Sequence, residues 1–89
     1  MARLTLFVAG RSPNSQRALT NLADVGVGPD HPALEVVDVL ASPARAMDEG
    51  VLLTPSLVIE RDDERLVLVG GLDDRSVLKE SLASLDLVS

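Results

Sequence analysis

Ser12 and Ser15 bracket the sequence Ser12-Pro13-Asn14-Ser15, which closely follows the apolar run Leu6-Phe7-Val8-Ala9. Two cysteines at this spacing, set at the start of a helix, form a thiol redox centre because the positive end of the helix dipole stabilises the first thiolate. Serine hydroxyls there would need a general base to become nucleophiles, and no histidine is close in sequence to provide one. Ser12 therefore reads as a helix N-cap and Ser15 as a first-turn residue. The only histidine, His31, lies in a loop rich in glycine and proline and reads as a solvated loop residue, since a metal site needs three or four ligands. Gly70-Gly71-Leu72-Asp73-Asp74 could offer free amides to a carboxylate and an aspartate to an ammonium group; its plainer reading is strand end, turn and helix cap.

The elements that must position these residues follow from periodicity. Leu4, Leu6 and Val8 alternate with Thr5 and Phe7, the pattern of a strand with two apolar faces. Ser12 as cap and Pro13 at the first helical position start a helix whose face is Ala18, Leu19, Leu22 and Ala23. Gly26 to Pro32 is a loop. Leu34-Glu35-Val36-Val37-Asp38-Val39 is a second strand, expected parallel to the first. Ser42-Pro43 and Gly50 bound a short, weak helix through Arg45, Ala46 and Met47. Ser56 to Glu60 and Arg65 to Val69 form a hairpin broken at Asp62-Asp63-Glu64. Asp73 is expected to cap a last helix with Leu78, Leu82 and Leu85 on one face, and Leu85-Asp86-Leu87-Val88 alternates as a strand would. The order is βαβαββα. This α/β order matches a thioredoxin-like three-layer sandwich, in which Thr54-Pro55 at the start of the third strand resembles the fold's cis-proline, Pro55.

Composition narrows the function. The 89 residues are read as one domain, 1–89, with 46% hydrophobic residues and a single aromatic, Phe7, so the core is aliphatic. A net charge of −6 with eight scattered Lys and Arg residues argues against nucleic acid, which needs a basic patch and stacking platforms. No cysteine is present, which removes disulfides, thiolate metal sites and thiol redox chemistry. There is no basic leader and no segment of membrane-spanning length, so a soluble, cytoplasmic protein is expected.

The sequence resembles the KaiB family of circadian clock proteins. The matching pieces are LFVAG followed by S-P-N-S, then R-A-L and N-L, V-V-D-V-L with a proline three residues on, L-x-T-P-S-L, and G-x-L with Arg75 downstream. The resemblance implies a binding protein without catalysis or cofactor. Such a protein docks on the first ATPase ring of KaiC and modulates its phosphorylation cycle, helps sequester KaiA, and competes with the KaiB-like sensor domain of a histidine kinase. It also implies two folds, a thioredoxin-like monomer that binds KaiC and a different, tetrameric one. Ser81 and Ala83 stand where family members often carry Gly and Asp, which favours helix and hence the thioredoxin-like monomer. The resemblance places Ala41, Ser42, Pro43 and Ala44 near the KaiC-facing surface, with Arg17 and Arg65 as candidate charged contacts; solvated arginines and a helix-starting Pro43 are the plainer readings.

Two alternatives of other classes stand beside this one. Thr54-Pro55 with Gly70-Gly71-Leu72-Asp73-Asp74 is similar to glutaredoxins, which would make the chain a thiol-less glutathione-binding protein. A KaiB-like stress or signalling adaptor outside a clock would use the same surfaces as the clock protein.

Overall fold

Strand β1 (Ala2–Val8) sits at the centre of the fold: Leu4, Leu6 and Val8 face one side, Thr5 and Phe7 the other, and all five are buried. In the structure, a computed structural model that describes residues 2–83, β1 is followed by α1 (Pro13–Asp24), β2 (Leu34–Asp38), α2 (Pro43–Asp48), β3 (Ser56–Arg61), β4 (Glu64–Val69) and α3 (Arg75–Ala83). The sheet order is β2-β1-β3-β4. β1 runs parallel to β2, with Leu4 opposite Leu34, and antiparallel to β3, with Leu6 opposite Leu57. β3 and β4 form an antiparallel hairpin in which Arg61 faces Glu64 across the two-residue turn Asp62-Asp63. This is the thioredoxin-like arrangement.

Because side chains alternate across a strand, the sheet splits the core into two unequal clusters. On one face Leu4, Leu6, Val8, Leu34, Leu57 and Ile59 pack against Ala18 and Leu22 of α1 and Leu78 and Leu82 of α3. On the other, Phe7, Val37 and Val58 are covered by Ala46 of α2, with Val39 and Val51 leaning on the rim. The expected apolar stripe of α3 is present as far as Leu82; Leu85 and the alternating Leu85-Asp86-Leu87-Val88 lie outside the described residues.

Both helices that precede a strand through a loop end in the same way. After α1 the N–H groups of Gly26 and Val27 return to the carbonyls of Ala23 and Leu22, at 3.0 and 2.9 Å. After α2 those of Gly50 and Val51 return to Met47 and Ala46, at 3.1 and 2.9 Å. These are Schellman closures, and the left-handed backbone they need, φ 94° at Gly26 and 71° at Gly50, explains both glycines.

Five sequence expectations shift at element ends. β2 stops at Asp38, although Val39 still donates its N–H to Val8 at 2.8 Å. β3 takes in Arg61, and β4 begins at Glu64, because the hairpin closes on Asp62 and Asp63 alone. Ser42 occupies the N-cap position of α2 but its hydroxyl makes no capping bond. The cap of α3 is Asp74, whose carboxylate accepts the N–H of Val77 at 3.1 Å; Asp73, one residue earlier, is drawn away by partners on α1.

Candidate partner-docking site

At the start of α1 the two serines are used structurally. Ser12 accepts the N–H of Ser15 at 3.3 Å and donates its hydroxyl to the Ser15 hydroxyl at 2.8 Å, while Ser15 accepts the N–H of Ala9 at 3.1 Å. Ser15 is fully buried. The pair thus ties the β1–α1 loop to the first helical turn, and these hydrogen bonds join it to no basic side chain. His31 is half-buried and its Nδ1 accepts the N–H of Ala33 at 3.1 Å, closing its own turn rather than standing free in solvent. Among the described residues no cluster of three or more His, Asp or Glu is placed to hold a metal ion.

The loop between β4 and α3 is latched to α1. Asn21, 5% exposed, donates to the carbonyl of Gly71 at 2.8 Å and to the Asp73 carboxylate at 3.3 Å, and accepts from Arg75 at 3.2 Å. Arg75 also pairs with Asp24 at 2.7 Å, and Arg17 reaches Asp73 at 3.5 Å. The latch holds Leu72 at φ 60°, costly for a leucine, with its side chain buried in the larger cluster. Gly71 lies so close beneath Arg17 that a Cβ there would stand 2.9 Å from the arginine Cδ. The carboxylates a γ-glutamyl ammonium would require are therefore already engaged, Asp74 in capping α3 and Asp73 with Asn21 and Arg17.

On the opposite face, Ala41, Ser42, Pro43 and Ala44 are all exposed and run from the end of β2 into the first turn of α2. Their position is fixed on both sides. Asp38 accepts the N–H groups of Gly10 and Leu40, both at 3.0 Å, which pins the turn before them. Arg45 donates to both carboxylate oxygens of Glu35, at 2.9 and 2.8 Å, which ties α2 to β2. Those hydrogen bonds hold the Glu35 carboxyl below its ordinary pKa against a smaller opposing effect of burial, with the charges of Arg45 and then Arg3, 3.8 Å away, adding to the lowering. Arg65 approaches from β4, donating to the carbonyl of Glu49 and lying 3.7 Å from its carboxylate at the end of α2. The structure thus gathers Ala41 to Ala44 and Arg65 around α2, whereas Arg17 belongs to the latch beyond the sheet. The Thr54–Pro55 peptide is cis, and Pro55 is fully buried.

The family model described as the KaiB domain matches residues 5–83. The chain belongs to the KaiB family. It is 39% identical to the circadian clock oscillator protein KaiB of a Prochlorococcus marinus strain over 96% of this chain and 72% of that protein, and 37% identical to KaiB of Microcystis aeruginosa over 96% and 81%. Among solved structures it is similar to the N-terminal domain of Synechococcus elongatus SasA, at 26% identity and TM-score 0.68, over 93% of this chain and 80% of that one. A thioredoxin from Halobacterium salinarum is similar at 28% identity and TM-score 0.74, over 93% and 73%. KaiB membership and the likeness to the SasA domain support a clock-related role. Among the described residues no helix is long and apolar enough to cross a membrane.

Asn21 and Glu35 are the residues of this KaiB-family chain that its sequence hid. Asn21 falls three positions after Ala18 on the buried face of α1, so a polar residue inside an apolar stripe was the available signal. Glu35 and Arg45 are ten residues apart on different elements, and only the packing of α2 on the sheet brings them together.

Proposed function

We propose that this chain is a non-catalytic clock or clock-like protein that docks as a thioredoxin-like monomer on a KaiC-like ATPase ring and modulates its phosphorylation cycle. In this reading its 89 residues act as one unit. The docking surface is the exposed segment Ala41, Ser42, Pro43 and Ala44, with Arg65, beside Glu49 at the far end of α2, as a further charged contact and the Glu35–Arg45 pair as its support. The observation that carries the reading is a KaiB-family chain with the fold of the SasA N-terminal domain. The fold shared with the SasA N-terminal domain supports competition with a KaiB-like kinase sensor domain for that ring, and sequestration of KaiA is a further role the family relationship supports.

Small exposed side chains suit such a surface: alanines and a proline let a partner approach the backbone closely, and Pro43 costs little entropy to order. The test is a titration of labelled protein with the isolated first ATPase domain of KaiC, followed by backbone NMR. Amides of Ala41, Ser42, Ala44 and Arg65 are expected to shift or broaden, and Ala44→Glu, which suits the first turn of a helix, is expected to weaken binding about tenfold while leaving the other amide shifts in place. A spectrum unchanged by KaiC sinks the clock reading and leaves the adaptor role outside a clock.

A further inference from the structure

We propose that the outer edge of β4 is a second docking site, which takes an extended, apolar segment of a partner protein carrying basic residues at both ends. The proposal does not rest on the KaiC reading. Three observations meet at this edge.

The first is the backbone. Among the described residues β4 is the last strand on its side of the sheet, and its register with β3 is unbroken from Glu64 to Val69. Gly70 donates its N–H inward to Pro55 at 2.9 Å. In an antiparallel pair bonding direction alternates along the strand, so Glu64, Leu66 and Leu68 also bond inward, and Arg65, Val67 and Val69 turn their N–H and C=O groups outward. Natural sheets protect such an edge with charged side chains, lysine above all, with proline or with a bulge. β4 is charged only at Glu64 and Arg65, and from Leu66 to Val69 it has none of these, whereas on the opposite edge strand Glu35 is engaged by Arg45 and Arg3.

The second is apolar surface on both faces of the same strand. One groove, of about 500 Å³, is lined by Leu68 and Val77 over the buried Leu72 and Leu78, with Asp73 and Asp74 also in its lining. The other is lined by Leu52, Leu53, Val67 and Val69, of which Leu52 is 93% and Leu53 63% exposed. An added strand sends alternate side chains to the two faces, so both grooves would receive apolar side chains of one continuous run.

The third is charge. Asp62, Asp63 and Glu64 stand at one end of the edge between Arg61 and Arg65, and Asp73 and Asp74 at the other, all exposed. Asp73 shares its carboxylate with Asn21 and Arg17, and Asp74 caps α3 through one oxygen, so both ends keep an acidic excess. A second copy of the chain paired antiparallel would set one acidic end against the other, which opposes self-pairing. A strand with Lys or Arg at both ends is complementary at both.

The experiment uses the full chain and the synthetic peptide Lys-Lys-Val-Thr-Val-Leu-Val-Lys-Lys, with amide hydrogen exchange read residue by residue. The peptide is expected to slow exchange at Arg65, Val67 and Val69 about tenfold or more, and a peptide with Glu in place of the four Lys is expected to have no such effect. Val67→Pro leaves the inward ladder intact and should abolish protection. Because that variant could fail to fold, the double variant Asp63→Lys, Glu64→Lys serves as a second test and should shift the preference toward the acidic peptide. Equal binding of both peptides, shifts confined to Ala41 to Ala44, or protection of these three amides before any peptide is added would each overturn the proposal. In the last case, dependence on protein concentration identifies a second copy as occupant, and independence identifies the chain itself.

Discussion

Asn21 shows how much of the fold can hang on one side chain. It is 5% exposed and its amide serves the Gly71 carbonyl, the Asp73 carboxylate and the Arg75 guanidinium at once. Replacing it with alanine leaves the Gly71 carbonyl without its donor and removes what holds Leu72 in its left-handed conformation. We expect Asn21→Ala to cost about 1–3 kcal/mol in urea unfolding, and a loss of a few tenths would mean that the ion pairs around it hold the loop unaided. Glu35 makes a different kind of prediction. Its pKa is lowered in the folded protein, chiefly by the hydrogen bonds from Arg45. The pair therefore contributes above the ordinary carboxylate pKa, and its contribution is lost as pH falls through the lowered folded value. Arg45→Ala should move the Glu35 titration, followed by carboxyl NMR, back up toward its ordinary value. Salt should shrink the difference, because the pair is exposed. Coincident titration curves at low salt would show that α2 is not tied to β2 in this way.

At the scale of elements, what could be read from sequence was whatever is local. Alternation gave β1, a short β-branched run gave β2, and two apolar runs around a polar break gave the hairpin; Ser12-Pro13 placed the start of α1; and Gly50 placed the end of α2, where the Schellman closure is found. The hairpin ends moved for a local reason, the two-residue turn, whereas the two helix caps were decided by partners elsewhere in the fold. Asp73 and Asp74 are chemically identical candidates for the cap of α3, and only Asn21 and Arg17 on α1 decide between them by taking Asp73. Ser42 has the right type and position for a cap, yet α2 is held by Ala46 in the core and Arg45 on Glu35 instead. For so short a helix the closing turn matters. Gly50 has open space around it, with nothing within 4 Å of an added Cβ, so Gly50→Ala tests the backbone alone. We expect a cost of about 1–2 kcal/mol from the left-handed conformation and a smaller one for Gly50→Asn, measured by thermal unfolding. Equal stability of the two variants would argue that the closure contributes little to holding α2.

The whole molecule is lopsided, and its docking segment stands on the thinner side. Among the described residues, thirteen buried side chains make up the cluster beneath α1 and α3, against four beneath α2, where Phe7 is the one residue of the Phe, Tyr and Trp class in the sequence. A six-residue helix cannot persist without such packing, so the shape of the Ala41–Ala44 segment depends on Phe7 beneath α2. Phe7→Leu keeps an apolar side chain but leaves unfilled volume under Ala46. The expected result is regional: amide exchange rises several-fold in α2 and the turn before it, while α1 keeps its protection through Leu22, Leu4 and Leu6. Binding to a KaiC ATPase domain should weaken with it, because the competent form of the segment is then only part of the population and apparent affinity falls by that fraction. The control is Leu22→Ala, which removes volume from the larger cluster and should cost about 2–5 kcal/mol of global stability. At temperatures where that variant is still folded, it should leave exchange in α2 no faster than global unfolding requires. If Phe7→Leu instead speeds exchange uniformly, the two clusters open as one unit and the docking segment is as stable as the whole fold.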